Sequence, residues 1–315
     1  MDIESVCLVG GTGFVGRAVA ERACAQGLRV RVVTRSEPRA RALLVLPTLE
    51  TMVADPNDEK SLERSLENMD AVINLAGILH EGRGSTFESV HVELPRKIAR
   101  ACRAAGVRRF LHMSALGASS EGPSLYLRSK ARGEDVVREA AATLPATIFR
   151  PSVIFGEHDR FLNLFASLVR VSPVIPLGGA HARFQPVWVE DVARAFVDAL
   201  GDARTFGQTY ELCGPRAWSL EEMVRFVAAT LGRRPMIVAL PGALAALQAF
   251  ALEHLPGKLM TRDNLRSMSL DNCCAGSFPA VFGFEPAGLE SVTAEYLAGT
   301  STSERYQRFR NFAGR

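Results

Sequence analysis

Val6-Cys7-Leu8-Val9-Gly10-Gly11-Thr12-Gly13-Phe14-Val15-Gly16 runs an apolar segment into a glycine-rich turn that opens a helix-like stretch. Gly11, Gly13 and Gly16 satisfy GxGxxG, and Gly10, Gly13 and Gly16 satisfy GxxGxxG. Glycines let backbone approach a pyrophosphate, and the free N–H groups and dipole of a helix N-terminus attract its negative charge. Glycines also make ordinary tight turns; the strand–turn–helix setting is what gives the motif meaning. The stretch predicts a dinucleotide cradle from Gly10 to Gly16, including Thr12, Phe14 and Val15. Arg17, just beyond, offers a positive charge.

Outward from this turn the first half alternates regularly. The apolar runs VRVVT, LETMVA, AVINLA, RRFLHMS and ATIFRP are separated by helix-like segments at about 14–26, 38–46, 59–68, 86–105 and 124–142. Such alternation implies right-handed crossovers and an α/β fold: a Rossmann-type, doubly wound parallel sheet covered on both faces. After Arg150 the rhythm breaks at Pro151, Pro173, Pro176, Gly178 and Gly179. FQPVWVEDVARAFVDAL, residues 184–200, restores a short strand and a helix. The expected division is a nucleotide domain at 1–150 and about 184–206. A smaller, discontinuous C-terminal α/β domain takes about 151–183 and 207–315.

The second strand ends VRVVTRSE. An NAD site places an acid there to accept from the ribose 2′-hydroxyl, whereas Thr34 and Arg35 suit a 2′-phosphate. Glu37 keeps NAD(H) open, but NADP(H) is preferred. Asp55, ending the third strand, is placed either to accept from the adenine amine or to shape the turn of Asp55-Pro56-Asn57-Asp58. Leu75-Ala76-Gly77, ending the fourth, would lie against the adenosine ribose.

A net charge of +3 across 315 residues gives no argument for nucleic acid. The acidic start lacks the features of a secretory signal, so a cytoplasmic location is expected. The six histidines form no HxH or HxxxH cluster, and no metal site is expected. Cys7, Cys24 and Cys102 read as buried free thiols, and Cys273 and Cys274 as reduced neighbours. Met236–Leu252 is uncharged and split by Pro241 and Gly242. It reads as a strand and a core helix, with partner docking or peripheral contact at the cytoplasmic membrane face as the alternative. The tail interleaves Arg305, Arg308, Arg310 and Arg315 with Tyr306, Phe309 and Phe312; a packed amphipathic helix is the default reading.

GGTGFVG, Asn74–Gly77 (NLAG), Tyr126-xxx-Lys130 and Arg150–Gly156 (RPSVIFG) together resemble the extended and atypical short-chain dehydrogenases/reductases. The segments 91–118, 124–134, 150–161 and 183–193, and more loosely 259–272, resemble the NADPH-binding accessory subunit of respiratory complex I and its bacterial relatives. The resemblance implies that Pro151, Ser152 and Val153 line the nicotinamide side, and that Lys130 contacts the nicotinamide ribose. It makes Tyr126 the proton donor and a serine or threonine the carbonyl-orienting hydroxyl.

Tyr126 and Lys130 share a helix face, and a nearby ammonium is expected to lower the phenol's pKa. Ser114 stands at the hydroxyl position of short single-domain relatives, while alignment with extended relatives puts Ala115 there. Two function classes follow. One is an oxidoreductase acting on a small apolar carbonyl or quinone-like substrate. The other is a nucleotide-stabilised accessory or assembly protein with a respiratory or quinone-pathway partner. A nucleotide-sugar epimerase or dehydratase is a weaker third.

Overall fold

The computed structural model describes residues 1–82, 84–255 and 259–297. The aromatic and arginine-rich tail lies outside these residues. Strands β1 (Ser5–Val9), β2 (Arg29–Thr34), β3 (Leu49–Val53), β4 (Ala71–Asn74), β5 (Arg109–Met113) and β6 (Ala146–Pro151) join the later strand Thr209–Leu212 in one sheet. Its order is Thr209–Leu212, β6, β5, β4, β1, β2, β3, and every neighbouring pair is parallel. The strand order reverses at β1 and β4, where an open α/β sheet binds its ligand beyond the strand ends. β1 is buried along its whole length, which explains its unbroken apolar run. One core packs Cys7, Val9, Leu62, Ile98, Phe110 and Val137 between the sheet and its helices.

The chain divides into two compact units. The first comprises Met1–Ser152, Val189–Leu212 and Cys274–Phe284; the second comprises Val153–Trp188, Cys213–Cys273 and the described residues from Glu285 on. The boundaries differ from the expected 184–206 segment for physical reasons. Val187–Trp188 pairs with Ile154–Phe155 and stays in the second unit. Thr209–Leu212 extends the main sheet beside β6. Phe282 returns to pack near Phe149 and Tyr210, with ring centroids 6.0 and 5.3 Å away.

The second unit has its own core of Phe155, Leu162, Phe165, Phe184, Trp218 and Met223. Its helix Leu220–Thr230 begins with a capping box made by Ser219 and Glu222. Met236–Leu252 does not supply the expected core helix. Strand Met236–Ala239 precedes helix Gly242–Glu253, and that helix buries only Ala245 and Ala249. Its small side chains face inward: a Cβ on Gly178 would stand 3.1 Å from the Ala245 Cβ. Close approach through alanine and glycine leaves the leucines and phenylalanine on the outside.

Cys7, Cys24, Cys102 and Cys273 are free. Cys274, expected reduced beside Cys273, is disulfide-bonded, as is Cys213.

Candidate functional site

The glycine cradle is defined by what it excludes. Gly10 adopts φ +88°, and a Cβ there would stand 2.8 Å from the Ala76 nitrogen. A Cβ on Gly16 would stand 2.5 Å from the Gly10 carbonyl oxygen, so the helix start packs directly on the turn. Gly13 N–H donates to that same oxygen at 3.0 Å. Gly13 also caps helix Phe14–Ala25, with no side-chain capping bond and no acid in the first turn. The helix N-terminus therefore presents backbone donors and no opposing carboxylate, which fits a pyrophosphate.

Around the ribose position, Thr34 is buried and locks the turn: its Oγ1 donates to Ser36 O and accepts from Ser36 N. Arg35 is exposed, Arg17 half-exposed, and neither has an ion pair among the described residues. Glu37 opens the short helix Glu37–Ala40, where its charge suits the helix N-terminus. Asp55 forms a turn, its Oδ1 accepting from Asn57 N and Nδ2, both at 3.0 Å. Leu75 is buried behind Ala76, whose N–H donates to Asn74 Oδ1 at 3.1 Å. A Cβ on Gly77 would stand 3.3 Å from Lys130 Nζ, so the end of β4 meets the Tyr126/Lys130 helix.

That helix, Leu125–Ala140, is capped by Ser124, whose Oγ accepts from Leu127 N at 3.1 Å. Lys130 is 3% exposed, and its Nζ donates to the Met113 carbonyl at 3.2 Å. Burial pulls its amine down to about 8, against the opposing pull of Glu134. Tyr126 lies near His91 and Phe87, with ring centroids 5.6 and 6.0 Å away. The residue is half-buried, and burial pushes its phenol up to about 12. The expected lowering by Lys130 does not occur. Desolvation disfavours phenolate, and the Lys130 ammonium is directed at the Met113 carbonyl.

Two buried histidines support this helix. Ile78 N donates to His91 Nε2 at 3.1 Å, and His91 Nδ1 lies 2.8 Å from Ser129 Oγ. The Ser129 hydroxyl donates onward to the Tyr126 carbonyl at 2.7 Å. The network therefore assigns the proton of neutral His91 to Nδ1. Burial, then the charges of Lys130 and His112, pulls His91 down to about 2. Asn74 Nδ2 donates to His112 Nδ1 at 3.1 Å, leaving the ring proton on Nε2, which is buried and has no partner among the described residues. Burial, then Lys130, pulls His112 down to about 3.

Two further contacts fix the frame. Glu134 is fully buried and grips Arg150 on β6 through two bonds of 2.7 and 2.6 Å, while also pairing with Arg138. A Cβ on Gly133 would fall 2.0 Å from the His91 carbonyl oxygen. His91 itself sits in the π-helical stretch Glu88–Glu93 that leads into helix Leu94–Ala105. Such stretches recur at functional sites.

Ser114, at the end of β5, is buried, and its Oγ has no partner among the described residues. Its backbone N–H donates to Phe149 O at 2.7 Å, and Leu116 N–H donates to Pro151 O at 2.9 Å. Ala115 is also buried. Ser152 is buried and donates its N–H to Leu212 O, whereas Val153 belongs to the second unit and donates to Asn272 Oδ1. Asp159 ties down the start of helix Phe161–Val171, accepting from Leu162 N at 2.6 Å and Gly156 N at 3.1 Å.

The first unit thus brings together the glycines, Leu75–Gly77 and Lys130. Sequence reasoning passed over Asn74, His91, His112, Ser129, Gly133 and Glu134 as site residues. His91 and Gly133 give no periodic signal, because they meet through a close contact between two separate segments, which the residue spacing of neither segment records.

The family described as "NAD dependent epimerase/dehydratase family" matches residues 6–213. The mitochondrial NADH dehydrogenase (ubiquinone) 1 alpha subcomplex subunit 9 of Arabidopsis thaliana is 36% identical over 258 residues, covering 79% of this chain. The match spans 63% of that relative, less than two thirds of its length. The Mus musculus protein of the same name is 33% identical over 303 residues, covering 91% of this chain and 78% of the relative. Ceramide reductase of Caulobacter vibrioides is 32% identical over 247 residues, covering 75% of this chain and 73% of that one. The NADPH-dependent quinone oxidoreductase QOR2 of Escherichia coli, solved with NADPH, superposes with a TM-score of 0.72 at 19% identity, covering 93% and 99% of the two chains. That last likeness speaks for the fold. With an N-terminal glycine cradle on a 3-2-1-4-5-6 parallel sheet, the chain belongs to the NAD dependent epimerase/dehydratase family, as a relative of the complex I alpha-subcomplex subunit 9 proteins.

Proposed function

We propose that the chain is an NADP(H)-dependent oxidoreductase that reduces a small apolar carbonyl or quinone-like substrate. The observation that carries the reading is Ser114 Oγ, a buried hydroxyl without a partner among the described residues, directly after the strand whose Met113 carbonyl holds Lys130. Buried polar groups are rarely left unmade. In this reading the hydroxyl orients a substrate oxygen. The backbone donors from Gly13 to Gly16 hold the pyrophosphate, and Arg35, with Arg17, meets the 2′-phosphate.

A bound reduced nicotinamide supplies the hydride. Tyr126, with its phenol pushed up to about 12, keeps its proton at neutral pH and donates it to the developing alkoxide. Lys130, near 8, remains largely charged at pH 7 and holds the ribose. Its charge is lost as pH rises through about 8, so nucleotide affinity and turnover should fall together above that pH.

NADPH oxidation, screened against apolar carbonyls and quinones, tests the reading. Ser114→Ala and Tyr126→Phe should each abolish most turnover while retaining NADPH binding. Turnover at the wild-type rate in both variants would overturn the assignment. Calorimetric titration should show NADPH binding more tightly than NADH, with Arg35→Ala shrinking that gap by about 1.5–3 kcal/mol. Equal affinities in the unaltered chain would remove the NADP assignment.

A second reading has its own support. Similarity to the subunit 9 proteins, and Ala115 at one of the two candidate hydroxyl positions, favour a nucleotide-stabilised accessory protein that docks on a respiratory or quinone-pathway partner. It expects saturating NADPH to raise Tm strongly with no substrate turned over.

A further inference from the structure

The second unit presents an apolar surface that its own described residues leave largely exposed, with only the Arg262 guanidinium over the Phe250 ring and His254 beside it. Strand Met236–Ala239 exposes Met236 and Val238. Helix Gly242–Glu253 exposes Leu244, Leu247 and Phe250 at 52%, 62% and 47%, and Leu255 follows at 51%. The orientation is fixed by Gln248, whose Oε1 accepts from Gly178 N at 3.1 Å and whose Nε2 donates to Pro176 O at 2.8 Å. With Ala245 and Ala249 held inward, the large side chains must face out. A solvent-facing helix stripe is ordinarily polar, and a contiguous run of large apolar groups marks an interaction surface.

Charge decides the occupant. From Gly232 to Leu252 there is no acidic residue. Arg233 and Arg234, immediately before the strand, are exposed and have no ion pair among the described residues. We propose that this face seats on an anionic lipid bilayer, with Leu244, Leu247 and Phe250 entering the interface and Arg233 and Arg234 meeting lipid phosphates. Apolar side chains backed by unpaired cations are the pattern of an interfacial helix. Twelve residues are too few to span the hydrocarbon core, so the helix would lie in the surface plane. A second copy fits less well, because an isologous contact sets the same patch against itself and gathers the arginines of both copies without anions. The proposal rests on this surface alone and stands apart from the nucleotide chemistry.

The test is flotation of the full chain with vesicles of phosphatidylcholine, alone or mixed with phosphatidylglycerol. The mixed vesicles should bind the chain roughly tenfold or more tightly than phosphatidylcholine alone, and added salt should weaken that binding. Leu247→Glu combined with Phe250→Glu should lower binding roughly tenfold or more with the fold retained, since Leu247 faces water and Phe250 gives up only its contacts with Arg262 and His254. Arg233→Ala with Arg234→Ala should reduce the salt dependence. The proposal is overturned by an absence of flotation, by equal binding of the unaltered and Leu247→Glu/Phe250→Glu chains, or by a dimer in sedimentation that the same pair of changes dissolves.

Discussion

Helices Leu125–Ala140 and Gly242–Glu253 invert the usual relation between composition and burial. The first carries seven charged residues, yet buries nine of its sixteen, including Lys130 and Glu134. The second carries one charged residue, yet buries only two of its twelve. Polar partners explain the first: Met113 O receives the amine, and Arg150 and Arg138 receive the carboxylate. Small inward residues explain the second. Burial here follows from specific contacts more than from hydrophobicity, and each helix offers a way to break that conclusion.

The largest expected effect is at Gly133. Helix propensity alone would make Gly133→Ala stabilising by about 1 kcal/mol. The contact reverses the sign, since a Cβ 2.0 Å from the His91 carbonyl forces backbone apart. A loss of about 3 kcal/mol is expected, at the upper end of overpacking costs. Denaturant unfolding of the variant measures it. A neutral or stabilising result would mean that the helix and the π stretch slide past each other freely, and the frame around Tyr126 would be softer than its contacts indicate.

Next comes acid. Both His91 and His112 stay neutral when folded, held down to about 2 and 3 chiefly by burial. Unfolded, each takes a proton near pH 6.5, so the unfolded chain binds more protons as pH falls. Their contribution is therefore intact above about 6.5 and is lost progressively below it, by roughly 2 kcal/mol for each at pH 5. Comparing denaturation midpoints at pH 7 and pH 5, His112→Gln should shallow that decline. An unchanged decline would place the acid sensitivity elsewhere.

These residues also show where the sequence was legible. Gly10, Gly13 and Gly16 announced the cradle, because a turn and a helix start that must approach a ligand closely leave a fixed glycine spacing. The unbroken apolar run of β1 announced a strand covered on both faces. Lys130 was visible as a partner of Tyr126, but its direction was not: nothing in the spacing says that the amine meets Met113 O rather than the phenol. His91 and Gly133 are distant in sequence and meet only through tertiary packing, so neither was legible alone. Thr209–Leu212 was assigned to the smaller domain because a short strand carries no mark of which sheet it will extend.

The smallest effect belongs to the apolar helix. Leu247 is 62% exposed, so truncation to alanine removes little surface that folding had taken from water. Alanine is also the better helix former by a small margin. In solution without lipid, Leu247→Ala should therefore move stability by no more than about 0.5 kcal/mol, as expected for a surface change that breaks no named contact. Val137, fully buried on the other helix, makes the matched control. Val137→Ala removes core contacts and should cost well over 1 kcal/mol. If the two changes cost the same, Leu247 is covered in solution by something outside the described residues, and the contrast between the helices fails at its exposed end. If Leu247→Ala is neutral in water but weakens association with anionic vesicles, a side chain with no role in folding has acquired one in binding, which is what an apolar face held outward by Ala245, Ala249 and Gln248 would be for.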